Sequence, residues 1–194
     1  MTAAGRLVGV NTAAADERDP GLEREADAVV ASLVARGDSA ALGVLYDRFA
    51  PVLLAVAYRL LMSRADAEDV VHDVFVGLPE ALRRYQERGQ LASWLKRVTV
   101  RVALSRLRRD DGRGEQRLEE DLGAVSRDRD AAIDLGAAVA RLAPSLRAVL
   151  VLKEIEGYSH AEIAEMVGIS VPASKVRLHR ALRALRTMLE DSDR

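Results

Sequence analysis

Lys175, Arg177, His179, Arg180, Arg183 and Arg186 crowd near the C-terminus with no acidic residue among them. Such a row can donate charge-assisted hydrogen bonds to phosphates and to guanine O6 and N7. Val176, in its midst, offers only apolar contact, for instance to a thymine methyl. The preceding residues can present that row. Ile163, Ala164 and Val167 form one apolar stripe at helical spacing. Gly168 can adopt the positive φ that closes a helix, Ser170 can cap the next, and Pro172 falls in its first turn, where a missing N–H costs nothing. The expectation is a helix, a tight turn and a second, basic helix that enters the major groove of duplex DNA. Ser170, Pro172, Lys175, Val176, Arg177, His179 and Arg180 are the expected contacts, with Arg183 and Arg186 further along toward phosphate or solvent. A plain helical hairpin would share the stripe and the turn but has no use for the basic row.

A second basic row comprises Lys96, Arg97, Arg101, Arg106, Arg108 and Arg109. A helix with this face can track a phosphate backbone, and the polar loop before it, with Arg88 and Gln90, can hold an extruded base. Trp94 either stacks on a base or anchors the core beside Leu95 and Val98. Charge of the opposite sign gathers at Glu68, Asp69 and Asp73, with His72 between them. Asp69 and Asp73 are spaced i, i+4 and can face one basic partner together, or the row is an ordinary solvated helix face.

The elements that must carry these groups are helical throughout. Ala28, Val29, Leu33 and Val34 mark a short amphipathic helix ending near Gly37, and Asp38 or Ser39 can cap the next. In that second helix Leu45, Phe49, Leu53, Val56 and Leu60 recur at helical steps, with Pro51 placed to kink or split it. A third helix from about Asp66 carries Val70, Val71, Val74, Phe75, Leu78 and Leu82. A fourth runs from about Ser93 to Arg109. Asp110 to Asp130 mixes acidic residues with glycine and a few Arg, as a flexible acidic linker does. Periodicity resumes at Ile133, and Pro144 opens a helix that Gly157 ends. No alternating β pattern of useful length appears. The fold expected is all-α: two small helical domains, 26–109 and 131–191, joined by a linker over 110–130 and preceded by a disordered tail over 1–25.

Composition agrees. Of 194 residues 49% are hydrophobic, mostly Ala, Leu and Val, so small helical cores can form. A net charge of −1 conceals the segregation of basic and acidic runs. With no cysteine, disulfides and thiolate metal sites are excluded, and His72, His160 and His179 show no ligand spacing. No catalytic constellation or phosphate loop is visible, so neither an enzyme nor a cofactor is expected. No apolar run reads as long enough to span a membrane and no signal core opens the chain, so a soluble cytoplasmic protein without membrane insertion is expected.

The order and spacing of several motifs carry a family resemblance. Gly37-Asp38, Leu45-Tyr46, Ala67-Glu68-Asp69-Val70-Val71-His72-Asp73-Val74-Phe75 and Trp94-Leu95 lie in the first half. Leu142-Ala143-Pro144, Gly157-Tyr158-Ser159, Glu162-Ile163-Ala164, Gly168-Ile169-Ser170 and Arg180-Ala181 lie in the second. The chain resembles an extracytoplasmic-function sigma factor of the sigma-70 family. The resemblance implies a sigma2-like domain, whose Glu68, Asp69, His72 and Asp73 meet core RNA polymerase at the β′ clamp, with the β subunit as a further partner. Arg88, Gln90, Trp94, Lys96, Arg97 and Arg101 would then take the melted −10 element. It also implies a sigma4-like domain that reads the −35 duplex, and an anti-sigma protein as inhibitor. The chain departs from the family pattern at Arg101, at Ser105 and at Pro172-Ala173-Ser174. The last leaves the rotational register of the recognition helix open. The competing reading is a helix-turn-helix regulator with a helical sensor or dimerisation domain that forms no holoenzyme.

Overall fold

A computed structural model describes residues 20–85, 91–111 and 135–192. Its described elements are α1 (Pro20–Ala35), α2 (Ser39–Leu61), α3 (Arg64–Arg83), α4 (Leu91–Asp111), α5 (Leu135–Ala140), α6 (Pro144–Leu150) continuing as a π-helical turn over Val151–Ile155, α7 (His160–Val167) and α8 (Val171–Ser192). Among the described residues there is no strand. Residues 1–19 of the expected tail, residues 86–90 of the expected loop and most of the expected linker lie outside the described residues.

Local chemistry sets the helix ends. Asp38 Oδ1 accepts from the backbone N–H groups of Ala40 and Ala41 at 2.9 and 3.0 Å, which satisfies two of the donors that a helix start leaves open. Ser63 does the same for Asp66 at 3.3 Å. Between these caps the chain turns on Met62, whose φ of 54° is left-handed and whose N–H returns to the Tyr58 carbonyl. Three boundaries differ from the sequence reading. α1 begins at Pro20 rather than near Ala26, α4 begins at Leu91 rather than Ser93, and α4 continues to Asp111. Pro51 does not split α2, which runs unbroken from Ser39 to Leu61. Its ring lies exposed, on the face away from the core.

α1–α4 form a bundle whose core joins Val34, Leu45, Phe49, Leu53, Val74, Phe75, Leu78 and Leu95. α2 is the central element, packed on α1, α3 and α4. It is also long and apolar enough to cross a membrane by length and composition, contrary to the sequence expectation. Leu45, Leu53, Val56 and Leu60 are nonetheless fully buried within the bundle, which accounts for its apolarity. In the second half α5 and α6 pack on α8 through Ala138, Leu142, Leu146, Leu150, Ala181, Leu185 and Met188.

The two halves do not stand apart. One continuous apolar cluster joins Val56, Ala57, Leu60, Ala67, Val70, Val100, Ala103 and Leu104 of the first to Ala148, Val149, Val151, Leu152 and Ile163 of the second. Arg147 seals its edge. The residue is only 5% exposed, and its guanidinium donates to the carbonyls of Leu60, Ala140 and Leu142 at 3.1, 3.2 and 3.0 Å. Ala140 ends α5 and Leu60 lies in the last turn of α2, where carbonyls lack intrahelical partners.

Candidate nucleic-acid and polymerase interfaces

The helix-turn-helix is built as its sequence implies. Ser159 and Glu162 form a reciprocal capping box on α7. The Ser159 hydroxyl accepts from the Glu162 N–H at 3.2 Å, and the Glu162 carboxylate accepts from the Ser159 N–H at 3.0 Å. Those bonds from Ser159, and then the charge of Arg97, hold the Glu162 carboxyl below its ordinary range. Gly168, at φ 78°, ends α7 with its N–H on the Ala164 carbonyl. The Ser170 hydroxyl then accepts from Ala173 at 3.2 Å and caps α8.

Burial fixes which way α8 faces. Ser174, Ala181, Leu185 and Met188 are buried along one side. Lys175, Val176, His179, Arg183 and Arg186 are exposed on the other, and Arg180 is half-buried. The departure at Pro172-Ala173-Ser174 therefore leaves the basic row outward. Ser174 occupies its apolar setting because its hydroxyl meets His160 Nδ1 at 2.9 Å, tying the start of α7 to α8. Arg177 differs from the other expected contacts. It is half-buried in a cleft of about 340 Å³ between the halves, with Leu104, Leu107, Pro144 and Gly168, and burial pushes its pKa down.

On α3, Glu68, Asp69, His72 and Asp73 are all exposed. They stand opposite Val70, Val71, Val74 and Phe75, which face the core. Glu68, Asp69 and His72 border a groove of about 660 Å³ whose other wall is Tyr46, Asp47, Ala50, Pro51 and Leu54 of α2. The lining is mixed: Glu68, paired with Arg64 at 2.8 Å, Asp69 and Asp47 stand beside the apolar Ala50, Leu54 and Val71. Asp66 lies in the first turn of α3. The Ser63 hydrogen bond and then Arg106 hold its carboxyl below the usual range.

Helix α4 departs most from its sequence reading. Trp94 is half-buried against the first core, its ring 4.8 Å from that of Tyr85, so it serves as a core anchor in this arrangement. Arg106 lies between Asp66 and Asp69 at 2.6 and 2.9 Å, turned to α3 rather than outward. Lys96, Arg97 and Arg101 face the second half and pair with Glu156, Glu162 and Glu165. Arg88 and Gln90 lie outside the described residues.

Several residues that shape the site escape a reading of local pattern. The capping box carries a local signature, Ser159 and Glu162 three apart, that the sequence expectations above do not include. Arg147, Glu156, Glu165 and the His160–Ser174 bond left no such signal, because their partners are distant in sequence.

Comparison with known proteins agrees with this geometry. The family description "Sigma-70 region 2" matches residues 45–113, and "Sigma-70, region 4" matches residues 132–185. The ECF RNA polymerase sigma factor SigE of Mycolicibacterium smegmatis is 33% identical over 171 residues, covering 80% of this chain and 65% of that one. The chain thus spans just under two thirds of that relative's length. The ECF RNA polymerase sigma factor SigM of Mycobacterium tuberculosis is 30% identical over 169 residues, covering 86% of each chain. Among solved structures, CnrH in complex with the cytosolic domain of CnrY aligns at a TM-score of 0.52 and 28% identity, over 85% of this chain and 97% of that one. The sigma factor RpoE of Bartonella quintana, in complex with the anti-sigma factor NepR, shares the fold at a TM-score of 0.53 and 22% identity, over 75% and 94%.

Proposed function

This chain belongs to the extracytoplasmic-function sigma factors of the sigma-70 family, and on that footing we propose how its surfaces divide the work of promoter recognition. The protein directs core RNA polymerase to promoters. Glu68, Asp69, His72 and Asp73 form the edge that meets basic groups on the polymerase, and Ala50, Leu54 and Val71 in the groove beside them add apolar contact. Lys175, Val176, His179 and Arg180 enter the major groove of the −35 element, with Ser170 and Pro172 at the entry of the helix. Lys96, Arg97 and Arg101 follow the phosphates of the melted −10 strand, with Arg88 and Gln90, which precede α4 in sequence, as further contacts. The chain acts by binding, as a cytoplasmic factor, and an anti-sigma protein restrains it.

The observation that carries this reading is the facing of α8. Its small and apolar side is buried, its basic side is exposed, and the same chain carries an acidic face on α3 for a different partner. A repressor needs the first feature and not the second. Transcription from a randomised promoter library with purified core polymerase tests the reading. Enrichment of paired −35 and −10 elements is expected. Failure of the chain to form a stoichiometric complex with core polymerase would sink the reading and leave a helix-turn-helix regulator. Substituting Lys175 by Ala should cost about 1–3 kcal/mol at particular −35 base pairs, whereas a uniform loss makes it a phosphate anchor.

A further inference from the structure

Two arginines of the basic rows have no part in the surfaces assigned above, and both border one cleft. Lys96, Arg97, Arg101 and Arg106 of α4 each meet a carboxylate. Arg108, exposed in the last turn of that helix, meets none among the described residues. Arg177 is half-buried, while Lys175, Val176 and His179 of the same helix are exposed, and it too has no ion pair among the described residues. The cleft that these two arginines share measures about 340 Å³, at the small end of the range of about 300–1,000 Å³ for small-molecule sites. Its walls are aliphatic: Leu104 and Leu107 of α4, Pro144 and Ala148 of α6, and Val167 and Ile169 beside the turn from α7 to α8. Ser145 adds a hydroxyl, and none of the residues lining the cleft is acidic.

We propose that this cleft is a binding site for a small aliphatic carboxylate, with its head on Arg108 and Arg177 and its tail along Leu107, Val167 and Ile169. The two parts of the lining demand the two parts of the ligand. A bare anion neutralises the guanidiniums and leaves the aliphatic walls in water. An uncharged hydrocarbon fills the walls and leaves Arg177 desolvated without a counter-charge. A carboxylate head accepts charge-assisted hydrogen bonds from the guanidiniums, and the tail removes apolar surface from water. α4 supplies one wall from the first half, and α6, α7 and α8 supply the rest from the second. A ligand held there binds only the packed chain and stabilises it by mass action.

Octanoate is a suitable probe, titrated into the full chain and followed by methyl resonances. The methyls of Leu104, Leu107, Val167 and Ile169 should shift together, with a dissociation constant of about 0.1–1 mM. Those of Val44 and Val76, exposed and outside the cleft, should not move. Octanol keeps the tail without the charge, and acetate keeps the charge without the tail. Each should bind at least about tenfold more weakly than octanoate. R108Q/R177Q should weaken octanoate binding about tenfold or more. R183Q/R186Q, which removes two exposed cations of α8 outside the cleft, should change it less than about twofold.

Octanol binding as tightly as octanoate reduces the cleft to an apolar gap and overturns the proposal. Equal weakening by the two arginine pairs makes the attraction one of overall charge, and overturns it as well. So do octanoate shifts spread evenly over exposed methyls such as those of Val44 and Val76. Should R108Q/R177Q not fold, the comparison of octanoate, octanol and acetate on the wild-type chain decides. The packing of the halves is judged separately, by nuclear Overhauser contacts between the methyls of Val100 and Leu104 and those of Val149 and Ile163 in the shared cluster. Their absence removes the cleft and overturns the proposal at its footing, whereas their presence without octanoate shifts overturns the site itself.

Discussion

Replacing Arg147 by Met tests whether the two halves form one cooperative unit. Met keeps most of the aliphatic stem and removes every donor. Three carbonyls, those of Leu60, Ala140 and Leu142, then lose bonds of 3.0–3.2 Å. A buried acceptor left unpaired costs about 1–3 kcal/mol, so the three together cost about 6 kcal/mol. Burial also disfavours the guanidinium charge, as its lowered pKa indicates. Removing that desolvated charge returns about 3 kcal/mol, and the net loss expected is about 3 kcal/mol. Urea unfolding followed by two probes reads both size and place. Trp94, the single tryptophan, reports only the first half, whereas far-ultraviolet circular dichroism reports both. The two curves should coincide in the wild type. In R147M the dichroism midpoint should fall ahead of the fluorescence midpoint, because the bond to Leu60 is the one that crosses between halves. R147K should fall between, since an ammonium cannot reach three acceptors in the planar geometry of a guanidinium. A loss under about 1 kcal/mol, with the two curves still coincident, would refute the reasoning.

Other outcomes follow from the same contacts. Ser159→Ala removes half of the α7 capping box and should lower stability by about 1 kcal/mol in chemical denaturation. Ser174→Ala and His160→Ala should each cost about 1 kcal/mol, and a double-mutant cycle should return a coupling of similar size; strict additivity would show that the bond does not operate. Glu162 and Asp66 have folded pKa values below their ordinary values of 4.5 and 3.8. Their contribution to stability is therefore full above those values and is lost as pH falls through the lowered ones. An acid titration of Glu162→Gln should show a shallower loss of stability below about pH 4.5 than the wild type, and an unchanged profile would contradict the assignment.

Much of this architecture was legible because it is local. Helical period placed Leu45, Phe49, Leu53 and Val56 on one buried side, and Val70, Val74 and Phe75 on another. Asp38, Gly168 and Ser170 marked helix ends through bonds to backbone groups within four residues of themselves. The boundaries at Pro20 and Leu91 were harder to read, since the residues there lack a strong cap signature.

Sequence by itself determined the helices, their caps and the basic character of α4 and α8, all set by interactions within a turn or two. Tertiary structure decided what those charges face. Arg59 and Lys96 meet Glu156 across 97 and 60 residues, and Arg147 reaches the Leu60 carbonyl across 87. No local pattern encodes such pairs, because each arises only when apolar burial brings the two halves together. Two helices with similar basic rows thereby acquire different states, α8 open to solvent and α4 held by carboxylates of its own chain.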